Sequence, residues 1–62
     1  MIIRGVPKDI ENYVCVSPLV SDVLHMCGYQ PKYMDDNENI YYVKNANIEI
    51  FMREEGLKCI EI

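Results

Sequence analysis

A single predicted helix with clear start and end signals constrains this chain more than any other feature of its sequence. Ser17 is a typical N-cap residue, because its hydroxyl can accept a hydrogen bond from a free amide of the first helical turn. Pro18 suits the first helical position, and Gly28 suits the left-handed residue that follows a helix. These signals predict a helix over residues 18–27, and the rest of the chain must be built around it.

The predicted helix is amphipathic and needs a surface to cover. Its apolar side chains recur at the i, i+3, i+4 spacing that lines one helix face. We expect this apolar face to pack on a β-sheet. The predicted buried stripe consists of Leu19, Val20, Val23, Leu24 and Cys27, with Ser21, Asp22 and His25 on the opposite face.

The segments around this helix favour β-strands. Residues 29–34 and 40–43 look extended and flank the polar turn 35–39, which is typical of a β-hairpin. The sequence further predicts a short strand over Met1 to Val6, an extended segment over residues 13–16 and a last strand over Leu57 to Ile62.

Residues 45–56 support two interpretations. As a strand, Ile48, Ile50 and Met52 alternate at period two with residues of the other face. As a helix over about residues 46–55, an asparagine caps the first turn and Gly56 ends the last one, but Ile50 then faces water. We favour the strand, because it gives each β-branched residue a suitable position.

Together these elements predict a single α+β domain over residues 1–62. One main helix, at about residues 18–27, packs on a small antiparallel sheet in the order β-α-β-β-β-β. The alternative fold has a second helix at about residues 46–55. A chain of 62 residues builds only a small core, so self-association would add stability.

One helix cannot cover both faces of the predicted sheet. If Ile40 and Tyr42 point toward the helix, their neighbours point away from it. An exposed aromatic and apolar patch is typical of a protein-binding surface. The alternative is that segment 1–16 folds over this face. The outward residues are Tyr41, Val43 and Phe51, with Glu49 and Arg53 beside them.

The last predicted strand suggests a second way to bind a partner. Leu57 to Ile62 is apolar on both faces, and an edge strand of this kind can pair with another chain. A symmetric homodimer through strand edges is therefore one predicted assembly. The alternative is a central strand flanked by residues 1–6.

The charge balance disfavours nucleic-acid binding. Ten acidic residues face six basic ones, for a net charge of −4, and the basic residues are scattered. Phosphate binding needs clustered Lys and Arg. The acidic turn, with Asp35, Asp36 and Glu38, supports a different alternative: a regulator linked to nucleic acids, or an inhibitor that mimics DNA and binds a nucleic-acid enzyme.

The sequence offers no catalytic, cofactor or metal site. His25 is the only histidine, and no serine or cysteine accompanies it in a catalytic motif. The three cysteines, Cys15, Cys27 and Cys59, lack the close pairs of a zinc site and indicate a reducing compartment. Without an apolar run that could cross a membrane or start a signal peptide, we expect a cytoplasmic protein that binds no membrane.

Part of the chain resembles known small proteins. The run Val16-Ser17-Pro18 through Gly28-Tyr29, followed by the polar turn and Ile40-Tyr41-Tyr42-Val43-Lys44-Asn45, is similar to small uncharacterised phage and prophage proteins of low-GC Gram-positive bacteria. The resemblance implies a phage origin and a helix after the hairpin. The functional hypothesis is a non-enzymatic, acidic interaction module or inhibitor, whose partner is another protein or a second copy of itself.

Overall fold

The computed structural model describes residues 2–60 and has the predicted α+β fold, with two helices and a mixed four-stranded sheet. A short 3-10 turn, Ile10–Asn12, precedes the second strand. In chain order, the elements are β1 (Ile3–Arg4), β2 (Tyr13–Val16), α1 (Pro18–Met26), β3 (Tyr33–Met34), β4 (Ile40–Val43) and α2 (Ala46–Glu55).

The sheet has the order β1-β3-β4-β2. The sequence predicted a wholly antiparallel sheet, and this part of the prediction is wrong. β4 pairs antiparallel with both β2 and β3, whereas β1 pairs parallel with β3. The amide of Ile3 donates to the carbonyl of Lys32 at 2.9 Å, and that of Gly5 donates to Met34 at 2.9 Å. A parallel pair needs a long crossover connection, and residues 5–32, which include β2 and α1, supply it.

The first helix follows its sequence signals closely. α1 begins at Pro18, and the hydroxyl of Ser17 accepts a hydrogen bond from the amide of Val20 at 3.5 Å. The helix ends at Met26, one residue before the predicted end, and Gly28 has a positive φ of 96°. Local capping therefore fixes the position of α1 along the chain.

The preferred strand over residues 48–53 is wrong, and the alternative helix is confirmed. Asn45 caps α2 by accepting a hydrogen bond from the amide of Ile48 at 2.9 Å. At the other end, Gly56 has a φ of 69°, and the amide of Leu57 donates to the carbonyl of Met52 at 2.9 Å, which is a Schellman motif. Ile50, which made the helix look unfavourable, is left half-exposed.

The predicted last strand is also wrong where the structure describes it. Residues 57–60 are not a strand, although the amide of Ile60 donates to the carbonyl of Cys15 at 2.8 Å. Residues 61 and 62 of the predicted strand lie outside the described part of the chain. The terminal segment, residues 57–60, thus follows the outer edge of β2 with one backbone hydrogen bond to it.

Both helices pack on the same face of the sheet. We refer to it as the helix face; there, the side chain of Tyr42 is almost fully buried against α1 and α2. Residues 3–4 and 13–16 lie in the sheet, so the alternative in which segment 1–16 covers the other face does not describe this fold. The buried core consists of Val14, Val16, Leu24, Tyr42, Ile48 and Met52.

Candidate protein-binding surface

The structure does not bring the predicted binding residues together. Tyr41 was expected to face solvent but is only 2 % exposed, and its hydroxyl donates to the carboxylate of Asp35 at 3.0 Å. Phe51 is half-buried against Tyr29, with ring centroids 5.7 Å apart. Of the predicted residues, Val43 alone remains exposed on the face of the sheet opposite the helices.

Cross-strand pairing explains why Tyr41 is buried. Its strand, β4, lies between β2 and β3, so Tyr41 has Cys15 on one side and Tyr33 on the other. Burial and the hydrogen bond to Asp35 raise the pKa of the Tyr41 hydroxyl well above its ordinary value. The aromatic patch that the sequence suggested for this face therefore loses its central residue.

The two charged residues of the predicted patch lie elsewhere. Glu49 and Arg53 project from α2 into an open cleft of about 500 Å³ beside the outer edge of β2. Besides these two, the cleft is lined by Ile10, Glu11, Tyr13, Val14, Cys15, Lys44, Met52, Leu57, Cys59 and Ile60. Two acidic and two basic side chains leave this cleft without a dominant charge.

The acidic turn is held together internally by Asp35. Its carboxylate accepts hydrogen bonds from the amides of Asn37 at 2.9 Å and Asn39 at 3.0 Å, in addition to the Tyr41 hydroxyl. Desolvation raises the pKa of Asp35, but the hydrogen bonds together outweigh it and lower that pKa below its ordinary value. Asp35 therefore acts on the turn itself, while Asp36 and Glu38 remain exposed.

An exposed apolar stripe on α1 was missed by the sequence analysis. The helical spacing predicts burial for Leu19 and Val23 and makes no prediction for Met26, yet the three side chains are 80 %, 37 % and 87 % exposed in that order. Their spacing of four and three residues places them in one row on the outer face of the helix. The row, referred to below as the α1 stripe, is about 10 Å long at 1.5 Å per residue.

The buried face of α1 is rotated away from the predicted one by a polar residue. Ser21 was assigned to the solvent side but is buried, and its hydroxyl lies 2.8 Å from that of Tyr42. The Tyr42 hydroxyl also lies 3.2 Å from the carbonyl of Ser21, to which it can donate. Leu24 and Val20 pack beside this pair, so the opposite side of α1 is left to solvent.

Other candidate chemistry stays dispersed. His25 and Cys27 are exposed near the end of α1. Within residues 2–60, no three His, Cys, Asp or Glu side chains are grouped so that they could hold a metal ion. The two helices of this same part of the chain are both too short to cross a membrane.

Comparisons with known proteins give no information on the function of this chain. No protein-family model, curated protein or solved structure matches the chain. The resemblance to phage and prophage proteins therefore stays a prediction. The α1 stripe is the surface that most needs a functional explanation, because nothing within the described residues covers it.

Proposed function

We propose that this protein is a small interaction module that binds another protein through the α1 stripe. One observation carries the proposal: Leu19 and Met26, two large apolar side chains on one helix face, are more than three-quarters exposed. The core is complete without them, since Leu24 and Val20 fill the inner side of the same helix. Exposed apolar rows of this kind are characteristic of binding surfaces.

The spacing of the stripe supports a particular kind of partner. Residues at i, i+4 and i+7 are the anchors with which an amphipathic helix enters an apolar groove of another protein. Asp22 is exposed beside them, and the chain carries a net charge of −4. The partner that fits is a protein with an apolar groove and basic residues on its rim.

Two other occupants fit the stripe less well. A second copy would meet it helix to helix, and three side chains in a row about 10 Å long cannot bury the ~800 Å² that each partner contributes to a stable interface. A lipid surface would favour Lys and Arg on the polar face of the helix, and residues 17–27 contain neither. A groove that surrounds the helix buries more than the stripe alone.

The alternative of a DNA-mimic inhibitor gains no specific support. Asp35, the first carboxylate of the acidic turn, accepts hydrogen bonds from Asn37, Asn39 and Tyr41.

The proposed function is binding and not catalysis. The cytoplasmic location stays a prediction.

The proposal is tested by a pair of surface variants. Leu19→Gln and Met26→Gln should leave the free energy of unfolding within about 0.5 kcal/mol of wild type, because exposed side chains contribute little to folding. In cell extract, photo-crosslinking from position 22 should yield a specific protein adduct that both variants lose. The matched control is Ile50→Gln, a half-exposed isoleucine on α2, which should keep the adduct.

Two results would contradict the proposal. If either α1 variant lowered the free energy of unfolding by about 2 kcal/mol or more, the stripe would belong to the core. If the adduct survived both α1 variants and disappeared with Ile50→Gln, the binding surface would lie on α2.

A further inference from the structure

The cleft beside β2 brings two of the three cysteines into one place. Cys15 lies on β2 and Cys59 lies in the terminal segment, and both line the cleft. The third, Cys27, follows the last turn of α1 and is not among the lining residues. This grouping is not visible in the sequence, where residues 15 and 59 are far apart.

A backbone hydrogen bond limits the distance between the Cα atoms of the two cysteines. The peptide unit whose N–H donates to the Cys15 carbonyl at 2.8 Å is the one that joins Cys59 to Ile60. With standard backbone dimensions, the Cα atoms of the two cysteines are then no more than about 8 Å apart. A disulfide needs about 4.4–6.8 Å between these atoms, so the hydrogen bond places the two cysteines at or close to bonding distance, and both line the same cleft.

We infer that Cys15 and Cys59 are a redox-sensitive pair that closes into a disulfide when the protein meets a low-molecular-weight disulfide such as oxidised glutathione. The bond would join the terminal segment covalently to the outer edge of β2. Cys27 does not line the cleft and stays outside the pair.

The difference in exposure between the two thiols sets the order of the steps. Cys59 is exposed, so its thiolate reaches the oxidant first, bonds to one glutathione sulfur and releases the other glutathione as a thiolate. Cys15 is buried, and this burial raises the pKa of its thiol, so it enters second.

In the second step, the Cys15 thiolate attacks the Cys59 sulfur of the mixed disulfide and expels the second glutathione. In total, one protein dithiol and one oxidised glutathione become one protein disulfide and two reduced glutathione molecules. The two electrons pass from the cysteine sulfurs to glutathione.

The experiment compares two variants that each lack one exposed cysteine. Cys27→Ser keeps the proposed pair, and Cys59→Ser keeps Cys15 with Cys27. Both folded proteins are incubated with oxidised glutathione, alkylated and analysed by intact mass. We expect Cys27→Ser to lose both thiols without retaining glutathione, and Cys59→Ser to retain glutathione on Cys27 with Cys15 still reduced.

A tryptic digest identifies the bond directly. Cleavage after Lys8, Lys32 and Lys58 places Cys15 in peptide 9–32 and Cys59 in peptide 59–62, and the two should be found linked in Cys27→Ser. The inference is overturned if Cys27→Ser retains glutathione on Cys59 with a free Cys15 thiol, if neither thiol reacts, or if the product is a disulfide between two molecules.

Discussion

At the scale of single residues, two polar groups decide much of this structure. Ser21 and Tyr42 place their hydroxyls together inside the core, where a polar atom without a partner would destabilise the fold. Their contact selects which face of α1 is buried. As a result, Leu19 and Met26, which are more apolar than Ser21, lie on the outside.

The Ser21–Tyr42 contact should be measurable as a coupling. Tyr42→Phe is expected to lower the free energy of unfolding by about 1–3 kcal/mol, because it leaves the Ser21 hydroxyl buried without its partner. Urea denaturation measures this change. The control is Tyr29→Phe, whose hydroxyl makes only a long, exposed contact of 3.5 Å with the carbonyl of Asn47.

The double variant Ser21→Ala/Tyr42→Phe should recover part of the loss, since removing both hydroxyls leaves no orphan. Strict additivity of the two single changes would show that these hydroxyls do not interact.

Asp35 predicts a specific dependence of stability on pH. Its pKa is lowered in the folded protein, so the folded state favours the ionised carboxylate. This stabilisation is complete above the ordinary aspartate pKa of about 3.9 and is lost as the pH falls through the lowered folded value. Asp35→Asn should therefore show a smaller loss of stability in this acidic range than the wild type.

Urea midpoints measured from about pH 6 down to about pH 2 test this expectation. Asp36→Asn is the matched control, because Asp36 is adjacent, acidic and almost fully exposed. Parallel curves for Asp35→Asn and wild type would show that the hydrogen bonds to Asp35 do not favour its ionised form.

At the scale of elements, α2 shows how a local signal outweighs an apolar pattern. Ile48, Ile50 and Met52 alternate as in a strand, yet Asn45 and Gly56 provide both ends of a helix. Ile48 and Met52 are spaced four residues apart and are both buried, so the helix satisfies the core. Ile50 is left half-exposed, while both ends of the helix are capped.

Removing the first cap should weaken α2. Asn45→Ala is expected to lower the free energy of unfolding by about 1 kcal/mol, because the amide of Ile48 loses its acceptor. The comparison is Asn47→Ala, inside the first turn and exposed, which should be neutral or slightly stabilising since alanine favours helices. Equal losses in thermal or urea unfolding for both variants would contradict the capping role.

At the scale of the whole molecule, both helices lie on one face of the sheet, and no helix of the described residues covers the other face. Tyr41 and Cys15 on the opposite face are nevertheless buried, and Tyr13 and Tyr33 stack edge to face there at 5.4 Å. The face is thus closed at its centre by its own side chains. The burial of Tyr41 takes away the central residue of the patch on which the sequence-based binding hypothesis depended.

The assembly state follows from the available surfaces. We expect light scattering to give the monomer mass throughout a dilution series, because the strand predicted for edge pairing does not form over residues 57–60 and the α1 stripe is too small for a stable dimer. A dimer mass at micromolar concentration that disappears with Leu19→Gln would instead make a second copy the occupant of the stripe.

Features that depend on neighbouring residues could be predicted from the sequence alone. Capping residues predict the start and end of α1. Turn residues predict the hairpin around residues 35–39, and short-range patterns predict the α+β fold class. Asn45 and Gly56 also indicate the two ends of α2, although the alternation of Ile48, Ile50 and Met52 between them favours a strand.

Which side of each element is buried depends on contacts between elements and could not be predicted from the sequence. The inward position of Ser21, the burial of Tyr41 and the approach of Cys59 to Cys15 each depend on a partner distant in sequence. A local pattern cannot report such contacts, because the free energy of burying a side chain depends on what packs against it. The α1 stripe is exposed because contacts with residues distant in sequence bury the opposite face of this helix.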